Sequence, residues 1–336
     1  MNEEVKNEIL RLKEKGLTNI CVEGELEQIA ELTVEINRLK KLKNAVILAH
    51  VYQRPEVILG ISDLVGDSFK LSSDCSGINA DIIIFCGVNF MAQTAKILNP
   101  NKRVFVPSPD AGCSLSDSIK KEDVIALRKK YPDAPVVTYI NTEAEVKAYS
   151  DVIVTSSNAE KILSNLYKKN KRIIFIPDKF MGRNLARSLN KRIGDEMILW
   201  DGSCIVHEKF DVAVIKEYRK KYPNMMVMAH SECPSEIIEN VDFMGSTSDM
   251  LAQIKNTSAE SYMLVTECGL GELATTMFPD KKFIAMCRLC PYMKMTSLEN
   301  VLETLKNLPS NNEVILSKDL IERSRKSIDM MFELAR

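Results

Sequence analysis

Short apolar runs alternate with amphipathic helical patterns along most of this chain. The apolar runs are rich in β-branched residues and read "NAVILAH", "ADIIIFCGV", "KRVFVP", "APVVTYIN", "DVIVTSS", "RIIFIPD", "MMVMAHS", "YMLVTECG" and "KKFIAMC". Parallel strands that are covered by helices on both faces read as continuous apolar runs of this kind. The pattern therefore predicts an α/β fold with short parallel sheets.

The order of these elements repeats three times. In each copy a first strand ends in a polar cluster ("LAHVYQ", "TYINTE", "MAHSEC"), and a second strand ends in small hydroxyl residues where a helix begins ("VGDSFK", "VTSSNAE", "MGSTSDM"). Each copy closes on a cysteine ("AGCSL", "DGSCIV", "RLCPYM"). A fixed order that recurs in this way indicates three similar structural units.

The spacing of three landmarks agrees with this repeat. The polar landmark recurs after 91 and 89 residues, the hydroxyl landmark after 88 and 91, and the cysteine after 91 and 86. These landmarks are His50, Asn141 and His230, then Ser68, Ser156 and Thr247, then Cys113, Cys204 and Cys290. A period of about 90 residues is a domain-sized unit at the small end of the range.

We therefore predict three similar three-layer α/β domains around a pseudo-threefold axis. The boundaries are residues 1–130, 131–222 and 223–312, and residues 1–40 add a helix pair to the first domain. The amphipathic C-terminal segment, residues 313–336, is expected to pack back on the first domain. Because ligands of open α/β sheets bind at the carboxyl ends of strands, the landmarks should meet at the centre.

Composition narrows the function classes. The 336 residues carry a formal net charge of −1, so no overall field attracts nucleic acid. No apolar run reaches the ~18–20 residues that span a bilayer, and the charged start "MNEEVKNEILRLKEKG" is not a signal peptide. Nine cysteines without an export signal indicate a reducing compartment, so we expect a cytoplasmic protein without a membrane partner.

Three convergent thiolates suit few metals. Catalytic zinc can use three ligands and water, and His207 could then serve as a fourth ligand. A [4Fe–4S] cluster held by three cysteines leaves one iron open, which acts as a Lewis acid. Cys287, in "MCRLCPYM", has no counterpart in the other units, so we interpret it as a neighbour of Cys290 that could form a disulfide with it when a cluster is lost.

An ordered set of motifs resembles one known enzyme family. The motifs are "AHVYQRPEV", "DLVGDSFKLS", "FCGVNFMAQTAKILNP", "AGCSLSD", "TYINTEAEVKAYSDVIVTSSNA", "IPDKFMGRNLA", "WDGSCIVHE", "AHSECPSE", "FMGSTSDM", "VTECG" and "CPYMKM". From about Val46 to about Leu305 the chain is similar to quinolinate synthase, the bacterial and plastid enzyme of NAD biosynthesis. Two departures are His230-Ser231-Glu232, where the family usually has His-Pro-Glu, and the absence of the first cysteine of a Cys-x-x-Cys-x-x-Cys run.

The resemblance implies a reaction and a set of site residues. Family members condense iminoaspartate with dihydroxyacetone phosphate and use an oxygen-sensitive [4Fe–4S] cluster, whose ligands match Cys113, Cys204 and Cys290. The matched iminoaspartate site consists of His50, Ser68, Tyr139, Asn141, Ser156, His230, Glu232 and Thr247, and Tyr52 matches an active-site tyrosine. A transient contact with the enzyme that supplies iminoaspartate is a further expected partner interaction.

Chemistry suggests roles for these residues beside their ordinary structural ones. The three hydroxyl residues at helix N-termini would bind carboxylate and phosphate, whereas each alone would be read as an N-cap. Tyr139 and Asn141 would orient a carboxylate, although a single "YIN" also suits an ordinary strand end. Glu232 is the candidate general base, with a pKa expected to be raised in a dry site, and His50, His230 and Tyr52 would exchange protons or orient substrate.

Several alternatives stay open on the sequence alone. They are another three-cysteine [4Fe–4S] hydro-lyase, a non-enzymatic iron or redox sensor, and a thiol-rich zinc protein. No G-x-G-x-x-G or Walker signature occurs, so a nucleotide cofactor is not indicated. His207 is expected either beside the cluster or in a structural role, and Glu267 is expected to face the site.

Overall fold

The computed structural model describes residues 2–21, 23–75 and 77–336. The strands are β1 (Ala45–His50), β2 (Leu64–Gly66), β3 (Ile82–Cys86), β4 (Arg103–Phe105), β5 (Val136–Tyr139), β6 (Val152–Val154), β7 (Ile173–Ile176), β8 (Met197–Leu199), β9 (Met225–His230), β10 (Phe243–Gly245), β11 (Ser261–Glu267), β12 (Phe283–Ile284) and β13 (Cys287–Arg288).

Helices separate these strands almost everywhere. They are α1 (Glu3–Glu14), α2 (Leu26–Leu42), α3 (Pro55–Gly60), α4 (Ser68–Cys75), α5 (Asn89–Leu98), α6 (Ser114–Asp117), α7 (Lys121–Lys130), α8 (Ala144–Lys147), α9 (Ala159–Tyr167), α10 (Lys179–Ser188), α11 (Val212–Lys221), α12 (Ser235–Ile238), α13 (Thr247–Asn256), α14 (Cys268–Met277), α15 (Leu298–Asn307) and α16 (Lys318–Leu334). In the described part of the chain, none of them combines the length and apolar character needed to cross a membrane.

Three parallel sheets share one strand order. The first runs β2-β1-β3-β4, the second β6-β5-β7-β8 and the third β10-β9-β11-β12, with β13 as an additional partner of β11. All of these pairings are parallel. The central strands are buried along their whole length, as in β3, β5, β7 and β11, because helices cover both faces of each sheet. The predicted α/β fold with three similar units is therefore confirmed.

The strand register corrects one detail of the repeat. His50 lies opposite Gly66, Tyr139 opposite Val154, and His230 opposite Gly245. The equivalent residues at the first strand end are therefore His50, Tyr139 and His230. Two positions later the equivalents are Tyr52, Asn141 and Glu232, so the pairing of Asn141 with the two histidines was wrong by two residues. Spacing alone did not reveal this shift, because both alignments differ from a period of 90 by a single residue.

The helices at the chain ends bind the units together. α15, which falls in the third predicted domain, packs against α2 and β3 of the first unit. α16 contacts α5 of the first unit but packs more extensively on α8 and β6 of the second. Ser324 and Ser327 on α16 donate hydrogen bonds to the carbonyls of Ala144 and Lys147 at 2.9 Å. The expected contact with the first domain is thus present through α5, but the larger contact is with the second unit, and the domain boundaries stay a prediction.

Candidate active site

One cavity lies at the carboxyl ends of all three sheets. Its cavity volume is about 70 Å³. The structure brings every predicted site residue to its lining: His50, Tyr52, Ser68, Cys113, Tyr139, Asn141, Ser156, Cys204, His230, Glu232, Thr247 and Cys290, together with His207 and Glu267. Residues that are distant in sequence therefore share one chamber, because the three sheets present equivalent edges to it.

The three cysteines occupy equivalent local structures. Each begins a tight turn, before α6 for Cys113 and before short 3₁₀ helices for Cys204 and Cys290. In each turn the backbone N–H groups two and three positions later face the sulfur and favour its thiolate form. The same device thus recurs in all three units and prepares each sulfur to carry negative charge.

Burial opposes that charge. It raises the pKa of Cys113 to about 12 and also raises the pKa values of Cys204 and Cys290. Deprotonated thiols at this cavity therefore require a compensating cation. Three sulfurs on one chamber, each with donated N–H groups, form a donor set that fits a metal–sulfur group.

His207 connects the Cys204 sulfur to a buried carboxylate. Its Nδ1 lies 3.3 Å from the Cys204 sulfur and 3.1 Å from Oε2 of Glu232, and its Nε2 lies 3.0 Å from the hydroxyl of Thr266. The ligand atoms of Cys204, His207 and Glu232 all lie within 4.8 Å of one another. These three residues are therefore a second candidate metal site, for a single ion. Hydrogen bonds already join its members, which favours His207 as a bridge between the Cys204 sulfur and Glu232.

The Glu232 carboxylate makes a hydrogen bond with each of its two oxygens. It is buried, and its Oε1 accepts a 2.6 Å hydrogen bond from the Tyr139 hydroxyl while its Oε2 faces His207. Burial alone raises the pKa of Glu232, but His207, His230 and the Tyr139 hydroxyl outweigh it and hold the pKa at about 2. The expectation of a raised pKa is therefore wrong for this structure, because the polar neighbours reach the carboxylate directly.

The two histidines of the strand ends are neutral and share a tautomer. Burial lowers the pKa of His50 to about 3 and that of His230 to about 4. Nδ1 of His50 faces the backbone N–H of Tyr52 at 3.2 Å, and Nδ1 of His230 faces that of Glu232 at 3.4 Å. Since Nδ1 accepts in both cases, the proton lies on Nε2, and each imidazole is a hydrogen-bond donor there.

Ser68, Ser156 and Thr247 do not cap the helices that follow them, contrary to the interpretation of each as an ordinary N-cap. Asp67 caps α4 by accepting a 2.9 Å hydrogen bond from the N–H of Lys70. Ser246 caps α13 in a reciprocal capping box. Thr247 and Ser68 are instead the first residues of their helices, and Ser156 lies in the turn three residues before α9.

Two buried oxygens in the lining have no hydrogen-bond partner in the described structure. They are the Thr247 hydroxyl and the Asn141 side-chain carbonyl. Buried polar atoms are normally paired, so these two positions are suited to groups of a bound ligand. The lining residues within the described chain include no lysine or arginine. Anions would therefore be held by N–H groups and hydroxyls, as the sequence suggested.

Glu267 anchors the third cysteine loop. Its Oε2 accepts from the N–H of Gly269 at 2.6 Å, and its Oε1 accepts from the N–H of Cys290 at 3.2 Å. Lys294 lies 3.4 Å from the same carboxylate and donates to the Tyr52 carbonyl at 2.8 Å. Glu267 thus lines the cavity and also holds one sulfur-bearing loop in place.

Sequence reasoning missed Thr266, although its motif "VTECG" was recognised. Its hydroxyl lies 2.6 Å from that of Tyr52 and 3.0 Å from Nε2 of His207, so it joins the first and third units. Its position at the end of a strand, where the other site residues also lie, could have identified it. The Cys290 thiol is free, but the side chain of Cys287 lies outside the described part of the chain, so the disulfide between them stays a prediction.

Comparisons with known proteins agree with the motifs. A sequence model of the family described as "Quinolinate synthetase A protein" matches residues 34–333. The quinolinate synthase of Aquifex aeolicus is 45% identical over 316 residues, covering 92% of this chain and 96% of that protein. Those of Sinorhizobium fredii and Caulobacter vibrioides are 42% and 40% identical, covering 89% and 91% of this chain and 81% and 82% of theirs.

Proposed function

The chain belongs to the quinolinate synthetase A family, whose members are enzymes of NAD biosynthesis, and we propose that it condenses iminoaspartate with dihydroxyacetone phosphate. The products are quinolinate, phosphate and two water molecules. The observation that carries this proposal is the single cavity in which the three cysteines meet the His, Tyr, Asn and Glu side chains of all three units.

We propose that Cys113, Cys204 and Cys290 hold a [4Fe–4S] cluster. The converging sulfurs, their donated N–H groups and the need for a compensating cation support this assignment. When bound, such a cluster supplies an open iron that acts as a Lewis acid toward a substrate oxygen. A mononuclear metal on Cys204, His207 and Glu232 is the competing assignment.

The remaining residues would bind and orient the substrates. The unpartnered oxygens of Asn141 and Thr247 would hydrogen-bond iminoaspartate, with Tyr139 and Ser156 beside them. The N–H groups at the start of α4 and α13 would receive carboxylate or phosphate oxygens.

Proton transfer would centre on Glu232. Its ionised carboxylate would take a proton from substrate carbon or nitrogen, and the Nε2–H groups of His50 and His230 would donate hydrogen bonds to developing oxyanions. Tyr52, held by Thr266, would orient the phosphate-bearing substrate.

Anaerobic purification followed by iron and sulfide analysis tests the cluster. We expect brown protein with about four irons per chain, lost in Cys113→Ala, Cys204→Ala and Cys290→Ala. Cys75→Ala and Cys86→Ala are controls, because these thiols are buried away from the cavity lining. Colourless protein with one zinc per chain would refute the cluster, and no quinolinate from the two substrates would refute the reaction.

Two expectations about context accompany this proposal. An oxygen-sensitive cluster suits a reducing compartment, which favours the cytoplasm. Iminoaspartate hydrolyses readily as an imine, so a transient contact with the enzyme that supplies it would shorten its exposure to water. A cross-linking assay with that enzyme during turnover would test the contact.

A further inference from the structure

Asn184 makes an unusual contact with the turn that carries Glu232. This residue belongs to α10 of the second unit, whereas Glu232 follows β9 of the third. The Asn184 side-chain NH₂ group donates to the carbonyl of Ser231 at 3.0 Å and to the carbonyl of Cys233 at 2.8 Å. These two carbonyls flank Glu232, so one amide spans the residue on both sides.

The Asn184 amide is itself held in one orientation. Its Oδ1 accepts a 2.9 Å hydrogen bond from the hydroxyl of Ser235, and the side chain is buried. All hydrogen-bonding capacity that Asn184 directs at the turn is therefore used, and an amide flip would replace two good contacts with repulsion between oxygens. The Asn184 amide therefore favours one conformation of the turn that carries Glu232.

Apart from those of the Glu232 carboxylate, the other contacts of the turn come from the third unit: the N–H of Glu232 faces Nδ1 of His230 at 3.4 Å, and the Cys233 thiol donates to the Val265 carbonyl at 3.5 Å. Ser231 is buried, and its hydroxyl has no hydrogen-bond partner in the described structure. The N–H of Cys233 bonds to the carbonyl of His230, which closes the turn. Because the Glu232 carboxylate must meet both Tyr139 and His207, a rotation of the turn about its ends would break at least one of these contacts.

We propose that Asn184 is a positioning residue that fixes the Glu232 carboxylate between Tyr139 and His207 by clamping the backbone on either side of it. This inference rests on the proposed function, in which Glu232 is the general base. The position of the Glu232 carboxylate can be tested whether or not Glu232 is the general base.

Two variants remove the clamp in different ways. Asn184→Ala deletes all three hydrogen bonds. Asn184→Asp keeps the size of the side chain and the bond from Ser235 but removes both donated bonds. Arg187→Gln is the matched control, because Arg187 on the same helix joins α10 to Glu239 by a 2.7 Å ion pair on the exposed surface and does not touch the turn.

We expect kcat to fall by about ten- to a hundredfold in either Asn184 variant, because a displacement of about 1 Å costs roughly this much. The KM values should change by less than about threefold, and the iron content should equal that of the wild type. Crystal structures should show the Tyr139 Oη–Glu232 Oε1 separation increased from 2.6 Å to beyond hydrogen-bonding range. Arg187→Gln should match the wild type in every measurement.

The outcomes separate this inference from the proposed function. A wild-type protein that makes no quinolinate refutes the function, and the crystal structures still decide the clamp. If Glu232→Gln lowers kcat but the Asn184 variants do not, the clamp is refuted alone. It is also refuted if the carboxylate stays in place while kcat falls, or if both variants fail to fold while Arg187→Gln folds, since Asn184 would then serve stability only.

Discussion

Lys147 is a fully buried lysine close to the active site. It belongs to α8, its amine donates to the carbonyl of Thr142 and lies 5.4 Å from the centre of the Phe90 ring, and α16 covers it through the Ser327 bond. Burial lowers the pKa of Lys147 to about 7 from an ordinary value of 10.5, against the attraction of Glu143 and Cys113. The Lys147→Met substitution removes the titrating amine at similar length.

The magnitude follows from proton linkage. Between about pH 7 and 10.5 the unfolded chain binds more protons at this residue than the folded chain, so the free energy of unfolding rises with pH in that window. Integrating from pH 7, where the folded lysine is half protonated, to pH 9 gives a gain of about 2 kcal/mol. Well below pH 7 both states are fully protonated and the contribution no longer changes.

Urea unfolding at pH 7 and pH 9 measures this gain. The single tryptophan, Trp200, reports unfolding of the second unit by fluorescence. We expect the wild type to gain about 2 kcal/mol more than Lys147→Met over this range. Lys169→Met, at an exposed position, should retain the wild-type pH dependence. Parallel pH dependences for the wild type and Lys147→Met would refute the assignment of a low pKa to the buried amine.

Two further substitutions test contacts at the cavity. In Gly269→Ala the new Cβ would lie 2.6 Å from the Tyr52 carbonyl oxygen, whereas the Cβ of Gly271→Ala in the same helix meets nothing within 4 Å. Thermal unfolding should show Gly269→Ala destabilised by about 1–3 kcal/mol and Gly271→Ala unchanged or slightly stabilised. Equal melting temperatures for the two variants would contradict this. Tyr139→Phe removes the 2.6 Å bond to Glu232 and should raise the pKa of that carboxyl. A carboxyl whose pKa is lower in the folded than in the unfolded state stabilises the protein above its unfolded pKa, and this stabilisation is lost as the pH falls toward about 2. The variant should therefore unfold at a higher pH than the wild type in an acid titration. An unchanged midpoint would count against the bond.

Sequence reasoning reached the fold because the relevant signals are local. Continuous apolar runs such as β3 and β11 are what parallel strands between two helical layers require, and the helical patterns between them supply the crossovers. The repeat then predicted that Cys113, Cys204 and Cys290 meet, since equivalent strand ends face one centre. Motif resemblance supplied the other cavity residues.

The packing of the terminal helices was not readable in this way. An amphipathic pattern in α16 predicts a buried face but does not say which unit receives it, and the serines that bond to the carbonyls of α8 are unremarkable in sequence. The protonation of Glu232 was misjudged for a related reason. Burial alone would raise its pKa, and only the three-dimensional approach of Tyr139 and His207 reverses the direction.

The sequence by itself determined that three equivalent α/β units bring their cysteines and strand-end polar residues to one chamber, because periodicity and hydrophobic pattern are properties of the chain. Only the tertiary structure decided which of these groups are connected by hydrogen bonds. Thr266 joins Tyr52 to His207, and Asn184 spans the Glu232 turn from another unit. Hydrogen bonds between units depend on distances of a few tenths of an ångström, and no spacing along the chain encodes them.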